Sequence, residues 1–256
     1  MVVRVLTLNL WNISEPLEAR SSALVAGLKQ LRPDLVCFQE VSPHPRLRRV
    51  QSEIIAEQCD FPHHAYSFSG CWGAREEGLA ILSRYPIVRS LGVTLPEFSG
   101  DMARQVFICE LKVESRAVLV ANTHLAFPLH MTRERSSQAA SVVAAIEDYR
   151  DRFHLPSVVI CGDFNDAPEL PAIRTMLASK LALIDAFAAC NPQSQGHTFS
   201  AQNRYVAAAP GEEGRIDYIF AGGKVRPKGC EIVFDGRNGL EIVSDHFGLL
   251  ATLAFE

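Results

Sequence analysis

The chain has 256 residues, a formal net charge of −4 and 48% hydrophobic residues. This length predicts a single domain covering residues 1–256 with a large core, because no linker, low-complexity tract or internal repeat divides the chain. The charge argues against a protein whose whole surface is basic, as in a general nucleic-acid-binding sheath, but it leaves room for a local basic groove.

The hydrophobic pattern predicts strands that alternate with helices in the first half of the chain. The elements of this half are a strand at 2–10, a helix at 18–31, a strand at 34–38, a helix at 47–59 and strands at 63–68, 79–83 and 87–95. The second half contains strands at 104–113 and 117–123, a helix at 131–150, a strand at 158–161, a helix at 169–178 and strands at 215–220, 231–234 and 247–255. Residues 211–214 predict a loop. This order indicates an α/β or α+β fold with mixed sheets and helices outside.

Three features of the sequence concern the location of the protein. No apolar run reaches the roughly 18 residues of a membrane-spanning helix, so we expect no transmembrane segment. The N-terminal residues enter a strand-like segment almost at once and lack the pattern of a secretory signal peptide. The seven cysteines include no closely spaced pair of the kind found in zinc or redox motifs. We therefore expect a reduced, cytoplasmic protein, and we expect it to be a monomer.

The stretch 158–166 joins a buried strand to a group of polar side chains. Val-Val-Ile-Cys is an unbroken apolar run, which predicts a strand buried on both faces. After the glycine that ends this run, Asp163, Asn165 and Asp166 offer three oxygen ligands within four positions. Either these residues start an Asx turn or they serve a cation or a strong donor, because burying an uncompensated carboxylate costs on the order of several kcal/mol.

Five predicted strands end in, or lie next to, polar residues that can bind a metal or a phosphate. These residues are Asn9, Glu40, His124, Asp163 with Asn165, and Asp245 with His246. Ligand sites in such sheets form at the strand ends and in the loops beyond them. One strand that ends in Asp or Asn is ordinary, but five such strands predict a shared site.

The residue types in this set indicate a particular chemistry. Glu40 and Asp245 match the sparse ligand sets of Mg²⁺, which favours one or two carboxylates, several waters and substrate phosphate, although Glu40 could instead be a solvated strand-end residue. His246 has a candidate orienting carboxylate in Asp217, and a histidine so oriented commonly serves acid–base chemistry near neutral pH. No nucleophile motif or phosphate-binding glycine loop is present. The set therefore indicates metal-assisted hydrolysis by water.

Six short segments together resemble the endonuclease/exonuclease/phosphatase superfamily, in that family's order and over nearly the whole chain. They are Leu8-Asn9-Leu10-Trp11, Gln39-Glu40, Asn122-Thr123-His124-Leu125, Gly162-Asp163-Phe164-Asn165, Arg215-Ile216-Asp217-Tyr218 and Ser244-Asp245-His246. The resemblance implies a four-layer α/β/β/α sandwich in which two mixed sheets lie face to face with helices outside. It also implies a phosphoesterase that depends on Mg²⁺ or Mn²⁺.

The resemblance assigns roles to the metal and to the phosphate. The residues that would hold or support the metal are Asn9, Glu40 and Asp245. Asp163 would align or deprotonate the attacking water, and Asn165 would hold a phosphate oxygen. Arg104 resembles an arginine that contacts the phosphate, although it could equally be a charge at the sheet edge.

The resemblance also assigns roles to two histidines. His246, oriented by Asp217, would stabilise the charged transition state or act as the base. His124 matches the histidine that pancreatic-type deoxyribonucleases and neutral sphingomyelinases use near the leaving group. Glu77, or else Glu76, is placed like the glutamate that orients this histidine in deoxyribonucleases.

Other segments resemble different branches of the superfamily. Residues 82–87 are similar to the sphingomyelinase and general bacterial branches. His197-Thr198-Phe199 followed by Asn203 resembles the tyrosyl-DNA phosphodiesterases, from which Asp166 departs because an arginine is expected there. His124 differs from the tyrosine-like residue of the abasic-site endonucleases.

Three functions remain open. The first is a metal-dependent phosphodiesterase that acts on nucleic acid or a related diester. The second is a sphingomyelinase-like phosphodiesterase that acts on a lipid headgroup, which an exposed hydrophobic hairpin would favour. The third is a catalytically silent binding module, which is disfavoured because such a protein should have lost Glu40, Asp163 or His246.

Overall fold

The computed structural model describes residues 1–206 and 213–256. The described elements are, in chain order, β1 (Val2–Asn9), α1 (Leu17–Leu31), β2 (Leu35–Val41), α2 (Gln51–Gln58), β3 (His63–Trp72), β4 (Arg75–Ser83), β5 (Ile87–Thr94), β6 (Gln105–Val113), β7 (Arg116–His124), α3 (Thr132–Phe153), β8 (Ser157–Asp163), α4 (Pro171–Leu177), β9 (Ile184–Asp185), α5 (Ala186–Cys190), β10 (Asp217–Gly223), β11 (Val225–Val233) and β12 (Gly248–Phe255). Gly211 and Glu212 of the predicted loop lie outside the described residues.

The strands form two mixed sheets of six strands. One sheet has the order β11-β12-β1-β2-β4-β3, and the other has the order β5-β6-β7-β8-β10-β9. Each sheet contains one parallel pair near its middle, β1 with β2 and β7 with β8, whereas the neighbouring pairs are antiparallel. The carboxyl ends of all four strands in the parallel pairs carry polar residues of the predicted site.

Alternate residues of the central strands face different layers of the core. In β8, Val159 and Cys161 pack between the two sheets, whereas Val158 and Ile160 pack under α3 and α4. A strand covered on both faces needs apolar residues at every position, which explains the unbroken apolar run. A third cluster of buried apolar residues lies between the sheet that contains β1 and β2 and the helices α1 and α2. The predicted four-layer sandwich, with two mixed sheets inside and helices outside, is therefore confirmed.

Several predicted boundaries differ from the observed ones, each for a local reason. β3 and β4 continue to Trp72 and from Arg75, because their backbones stay paired although the side chains near the turn are exposed and do not alternate. α2 begins at Gln51 rather than at residue 47, since Val50 is extended and pairs with Pro43. β11 starts at residue 225, where a proline and an irregular register hide the strand pattern. The short elements β9 and α5 were not predicted.

In the part of the chain that the structure describes, no helix has the length and apolar character needed to cross a membrane.

Candidate active site

The predicted site residues gather at one edge of the sandwich. The residues at strand ends are Asn9 of β1, Glu40 of β2, Glu77 of β4, His124 of β7, Asp163 of β8 and Asp217 of β10. Asp245 and His246 lie in the loop before β12, and Asn165 follows β8 by two residues. The two sheets thus bring together residues that are distant in the chain, as in the hydrogen bond from Asn9 to Asp163, which are 154 positions apart.

Glu40 is turned into the site by an irregularity in β2. The register between β2 and β4 shifts between Phe38 and Val41, and Glu40 has a positive φ of 51°. Such bulges redirect a side chain and are common beside active sites. Two amides hold the carboxylate: Asn9 Nδ2 donates to Oε1 and Asn12 Nδ2 donates to Oε2, both at 3.0 Å.

Asp163 lies at the centre of the polar cluster. Its Oδ2 accepts a hydrogen bond from Asn9 Nδ2 at 3.0 Å, and its Oδ1 accepts one from the backbone N–H of Asn165 at 3.0 Å. The Nε2 atoms of His124 and His246 lie 3.5 Å and 3.7 Å from the same Oδ2. Both histidines therefore face the carboxylate to which the family resemblance assigned the attacking water.

His246 and Asp217 form a buried pair. His246 Nδ1 lies 2.9 Å from Asp217 Oδ2, and the backbone N–H of Asp217 donates to Thr198 Oγ1 at 3.2 Å. Burial opposes the charged imidazolium, but the carboxylates of Asp217 and Asp163 outweigh it and raise the pKa of His246 well above its ordinary value. The pair thus favours a cationic ring, with its Nε2 directed at Asp163.

Three carboxyl groups of the site have raised pKa values. Burial and the neighbouring Asp217 raise the pKa of Asp163 to about 7, and burial together with Glu40 raises that of Glu77 to about 7. Burial and Glu40 also raise the pKa of Asp245 to about 6. The main cause is the same in each case: burial disfavours the charged form and a neighbouring carboxylate adds to this effect, while His246 or Arg104 offsets only part of it.

His124 has the opposite shift. Burial, the positive charge of Arg104 and that of His246 lower its pKa well below the ordinary value. The ligand atoms of His124, Glu77 and Glu40 lie within 4.8 Å of one another. Glu77 accepts a hydrogen bond from Asn12 Nδ2 at 3.4 Å, so it is fixed beside the ring that it was predicted to orient.

Arg104 and Asn165 are already engaged by protein groups. Arg104 is buried and donates from Nε and Nη2 to the two carboxylate oxygens of Asp101, at 2.9 and 2.7 Å, which leaves Nη1 for a further acceptor. Asn165 Nδ2 donates to the carbonyl of Leu125 at 3.1 Å. Asp166, where the tyrosyl-DNA phosphodiesterases would have an arginine, instead pairs with the buried Arg135 at 2.5 Å.

The structure adds residues that the sequence did not assign. Asn12 holds Glu40 and contacts Glu77, and its position just after β1 was the signal that could have revealed it. Thr198 supports the start of β10, and Asp101 binds Arg104. The cavity beside the cluster has a volume of about 210 Å³. It is lined by the polar residues Asn12, Glu40, Glu77, Arg104, His124 and Asp245 and by the apolar or aromatic residues Trp11, Trp72, Met102 and Phe127.

A profile described as the Endonuclease/Exonuclease/phosphatase family matches residues 6–246. The chain belongs to the endonuclease/exonuclease/phosphatase family. The endonucleases, exonucleases and phosphatases after which the family is named all hydrolyse phosphate esters. The prediction of a phosphoric ester hydrolase is therefore confirmed.

Among proteins of this family, nocturnin from Rattus norvegicus is 24% identical over 189 residues, which are 70% of this chain and 43% of that protein. This chain therefore spans less than half the length of that relative. The crystal structure of truncated Caenorhabditis elegans TDP2 has a TM-score of 0.81 at 21% identity, covering 100% of this chain and 98% of that one. The structure of D. rerio TDP2 complexed with single strand DNA product has a TM-score of 0.79 at 18% identity, covering 99% of both chains.

Enzymes of this family use a divalent metal ion, and the residues of this site suit one. The cavity offers hard oxygen ligands from Glu40 and Asp245, the donor type that Mg²⁺ and Mn²⁺ prefer. The buried carboxylates of Glu77 and Asp245 next to Glu40 are also unfavourable without a cation. Asn9 contributes indirectly, because its Nδ2 donates to Glu40 and Asp163 while its Oδ1 accepts from the backbone N–H of Trp11.

Proposed function

We propose that the protein is a phosphodiesterase that depends on Mg²⁺ or Mn²⁺ and hydrolyses a nucleic acid or a related diester with water. The observation that carries this proposal is the position of Asp163 and of the Asp217–His246 pair beside the cavity that Glu40 and Asp245 line. Asn9 Nδ2 donates to both Asp163 and Glu40 and so connects the two groups. Such a set combines a water-activating base, a cationic group and metal ligands without a covalent nucleophile.

Asp163 would be the group that aligns or deprotonates water. Asn9 Nδ2 and the Asn165 N–H fix both of its carboxylate oxygens, so the lone pair that receives a proton has a defined direction. His246 is oriented by Asp217 and favours the imidazolium form, which suits the stabilisation of a developing negative charge better than proton removal. We therefore assign the base to Asp163 and charge stabilisation to His246.

Glu40 and Asp245 would hold the metal ion, with Asn9 and Asn12 fixing the carboxylate of Glu40. The bound cation would neutralise phosphate charge and favour attack by water. Arg104 Nη1 and the remaining amide hydrogen of Asn165 would contact phosphate oxygens. His124, beside Glu77, would face the departing oxygen. Burial and Arg104 lower its pKa in the free protein, and the negative charge of a bound phosphate would oppose that lowering, so that the imidazolium donates the proton.

Two further observations concern the substrate and the location. The fold is similar to that of D. rerio TDP2, which was solved with a single strand DNA product, and this supports a nucleic-acid substrate. All seven cysteines are free, which supports the proposal of a reducing, cytoplasmic location. We also propose that the protein acts as a monomer.

A sphingomyelinase-like activity is the second candidate, because one observation favours it. The tip of the β3–β4 hairpin and the segment after β7 expose Trp72, Phe127 and Leu129, with Leu129 71% exposed. Apolar residues at a hairpin tip beside the cavity could contact a lipid surface.

Assays of the purified protein with Mg²⁺ on single- and double-stranded DNA, RNA, sphingomyelin and bis-p-nitrophenyl phosphate test both candidates. We expect cleavage of a nucleic acid and of the nitrophenyl diester, loss of both activities in EDTA and a loss of at least a hundredfold in His246→Ala. Turnover of sphingomyelin alone would establish the second candidate, and no turnover of any substrate by the metal-loaded protein would contradict both.

A further inference from the structure

Two aromatic side chains form a corner at the mouth of the cavity. Trp72 ends β3 and Phe127 follows His124 by three residues, yet their ring centroids lie 5.0 Å apart with planes at 83°. Both rings line the same cavity as Glu40 and His124. Trp72 is 44% exposed and Phe127 is 46% exposed, so each presents part of its ring to solvent.

Hydrogen bonds from Arg135 fix the backbone of the segment that carries Phe127. The guanidinium of Arg135 on α3 donates to the carbonyls of Ala126, Pro128 and Leu129, at 3.1, 2.8 and 3.2 Å. Arg135 is itself buried and paired with Asp166. Because the backbone is held on both sides of Phe127, binding of a ligand at this ring would require little further ordering of the backbone of this segment.

The shape and chemistry of the corner select its occupant. Two rings at nearly right angles accept a flat ring that stacks on one of them and turns its edge to the other, the arrangements that aromatic groups prefer. An alkyl chain would gain from burial of apolar area alone, without the stacking and edge contacts that a flat ring makes here. Both rings line the cavity that also contains Glu40 and His124, whereas the more exposed Leu129 does not line it.

We propose that Trp72 and Phe127 bind a nucleobase on the leaving-group side of the scissile phosphate, so that the substrate is a single-stranded nucleic acid. A base inside a duplex is stacked on both faces and could not enter the corner. This inference rests on the proposed function, because His124 marks the leaving-group side. The inference goes beyond the proposed function, because it specifies a single-stranded substrate and names the residues that recognise a base of that substrate.

Tryptophan fluorescence tests the binding without catalysis. The chain has two tryptophans, so Trp11→Phe leaves Trp72 as the single reporter. In EDTA, a single-stranded oligothymidylate should quench the fluorescence of Trp72. An abasic oligonucleotide of equal length and charge should bind with an affinity lower by roughly tenfold or more, because it lacks base stacking. Phe127→Ala should weaken binding of the oligothymidylate, whereas the matched control Leu129→Ala should not. Equal affinity for both oligonucleotides would overturn the proposal.

Kinetics with two diesters separate this inference from the proposed function. Trp72→Ala should raise the KM of a dinucleoside monophosphate by roughly tenfold or more with kcat nearly unchanged, and it should not affect the methyl diester of the mononucleotide, which lacks the leaving-group base. Equal effects on both diesters would contradict the base subsite. If the wild-type protein cleaves neither diester, the proposed function fails, while the fluorescence measurement still decides the subsite. Binding to sphingomyelin vesicles that is lost in both Trp72→Ala and Leu129→Ala, without quenching by oligothymidylate, would replace the proposal by a membrane contact.

Discussion

Asp217 Oδ2 lies 2.9 Å from His246 Nδ1, and both side chains are buried. The carboxylate orients the ring and raises its pKa, so the two residues act as one unit. We expect His246→Ala to lower kcat by about 10²–10⁴-fold. Asp217→Asn should cost nearly as much, and the double variant should cost little more than either single one. Additive losses in the logarithm of the rate would show that the pair does not act as a unit.

Glu40 is the carboxylate that we expect to bind the metal directly. Glu40→Gln keeps the shape of the side chain but removes its charge, so it should weaken Mg²⁺ affinity strongly and lower activity by roughly two orders of magnitude or more while the fold is retained. Titration calorimetry with Mg²⁺ and activity at sub-millimolar Mg²⁺ measure the two effects. Glu97→Gln, at an exposed loop position, is the matched control and should change neither. Wild-type activity of Glu40→Gln under these conditions would refute the metal assignment.

His124 bears on the leaving group rather than on the attacking water. A poor leaving group such as a sugar alkoxide needs a proton, whereas a nitrophenolate departs readily as an anion. We therefore expect His124→Ala to lower turnover of an alkyl diester by roughly a hundredfold, with little effect on a nitrophenyl diester. His246→Ala should lower both alike. Equal losses on the two substrates, together with a lower melting temperature, would mean that His124 only braces the end of the sheet.

Gly162 is required where β8 approaches β7. A Cβ atom there would lie 2.2 Å from the carbonyl oxygen of Thr123. Gly162→Ala should force the strands apart and reduce the free energy of unfolding by about 1–3 kcal/mol, measured by urea denaturation. Gly239→Ala, whose Cβ would meet no atom within 4 Å at a φ of 76°, controls for backbone strain alone. A loss in Gly162→Ala no larger than that in the control would exclude the clash.

His64 should make stability depend on pH. Its Nε2 lies 2.9 Å from Ser52 Oγ, and burial lowers its pKa despite the nearby Glu53, while Arg49 adds to the lowering. Because the folded state binds this proton less readily than the unfolded state, the contribution is complete above the unfolded pKa and is lost as pH falls towards the folded pKa. Urea denaturation between pH 7.5 and 5 should show a steeper loss in the wild type than in His64→Gln. The neighbouring variant His63→Gln should retain the wild-type slope, and identical slopes in all three proteins would contradict the linkage.

The hydrophobic pattern by itself determined mixed sheets with helices outside and most of the polar set, whereas the four-layer arrangement was implied by the resemblance to the family. The apolar run of β8 required cover on both faces, since every position of such a strand is buried. The polar residues that interrupt apolar runs at Asn9, Glu40, His124 and Asp163 marked strand ends, because a core excludes unpaired polar groups. These local signals were sufficient to predict a shared edge, and the structure places all four residues there.

Only the tertiary structure decided how these groups meet. The direction of the Glu40 side chain depends on a shift in register between β2 and β4. The hydrogen bond that Asn12 donates to Glu40 depends on a turn whose direction no local pattern encodes. The contact of Trp72 with Phe127 joins a hairpin tip to a loop of the other sheet. Hydrophobic periodicity reports which face of an element is buried, but it carries no information about which distant element lies opposite, and that choice is made by packing over the whole chain.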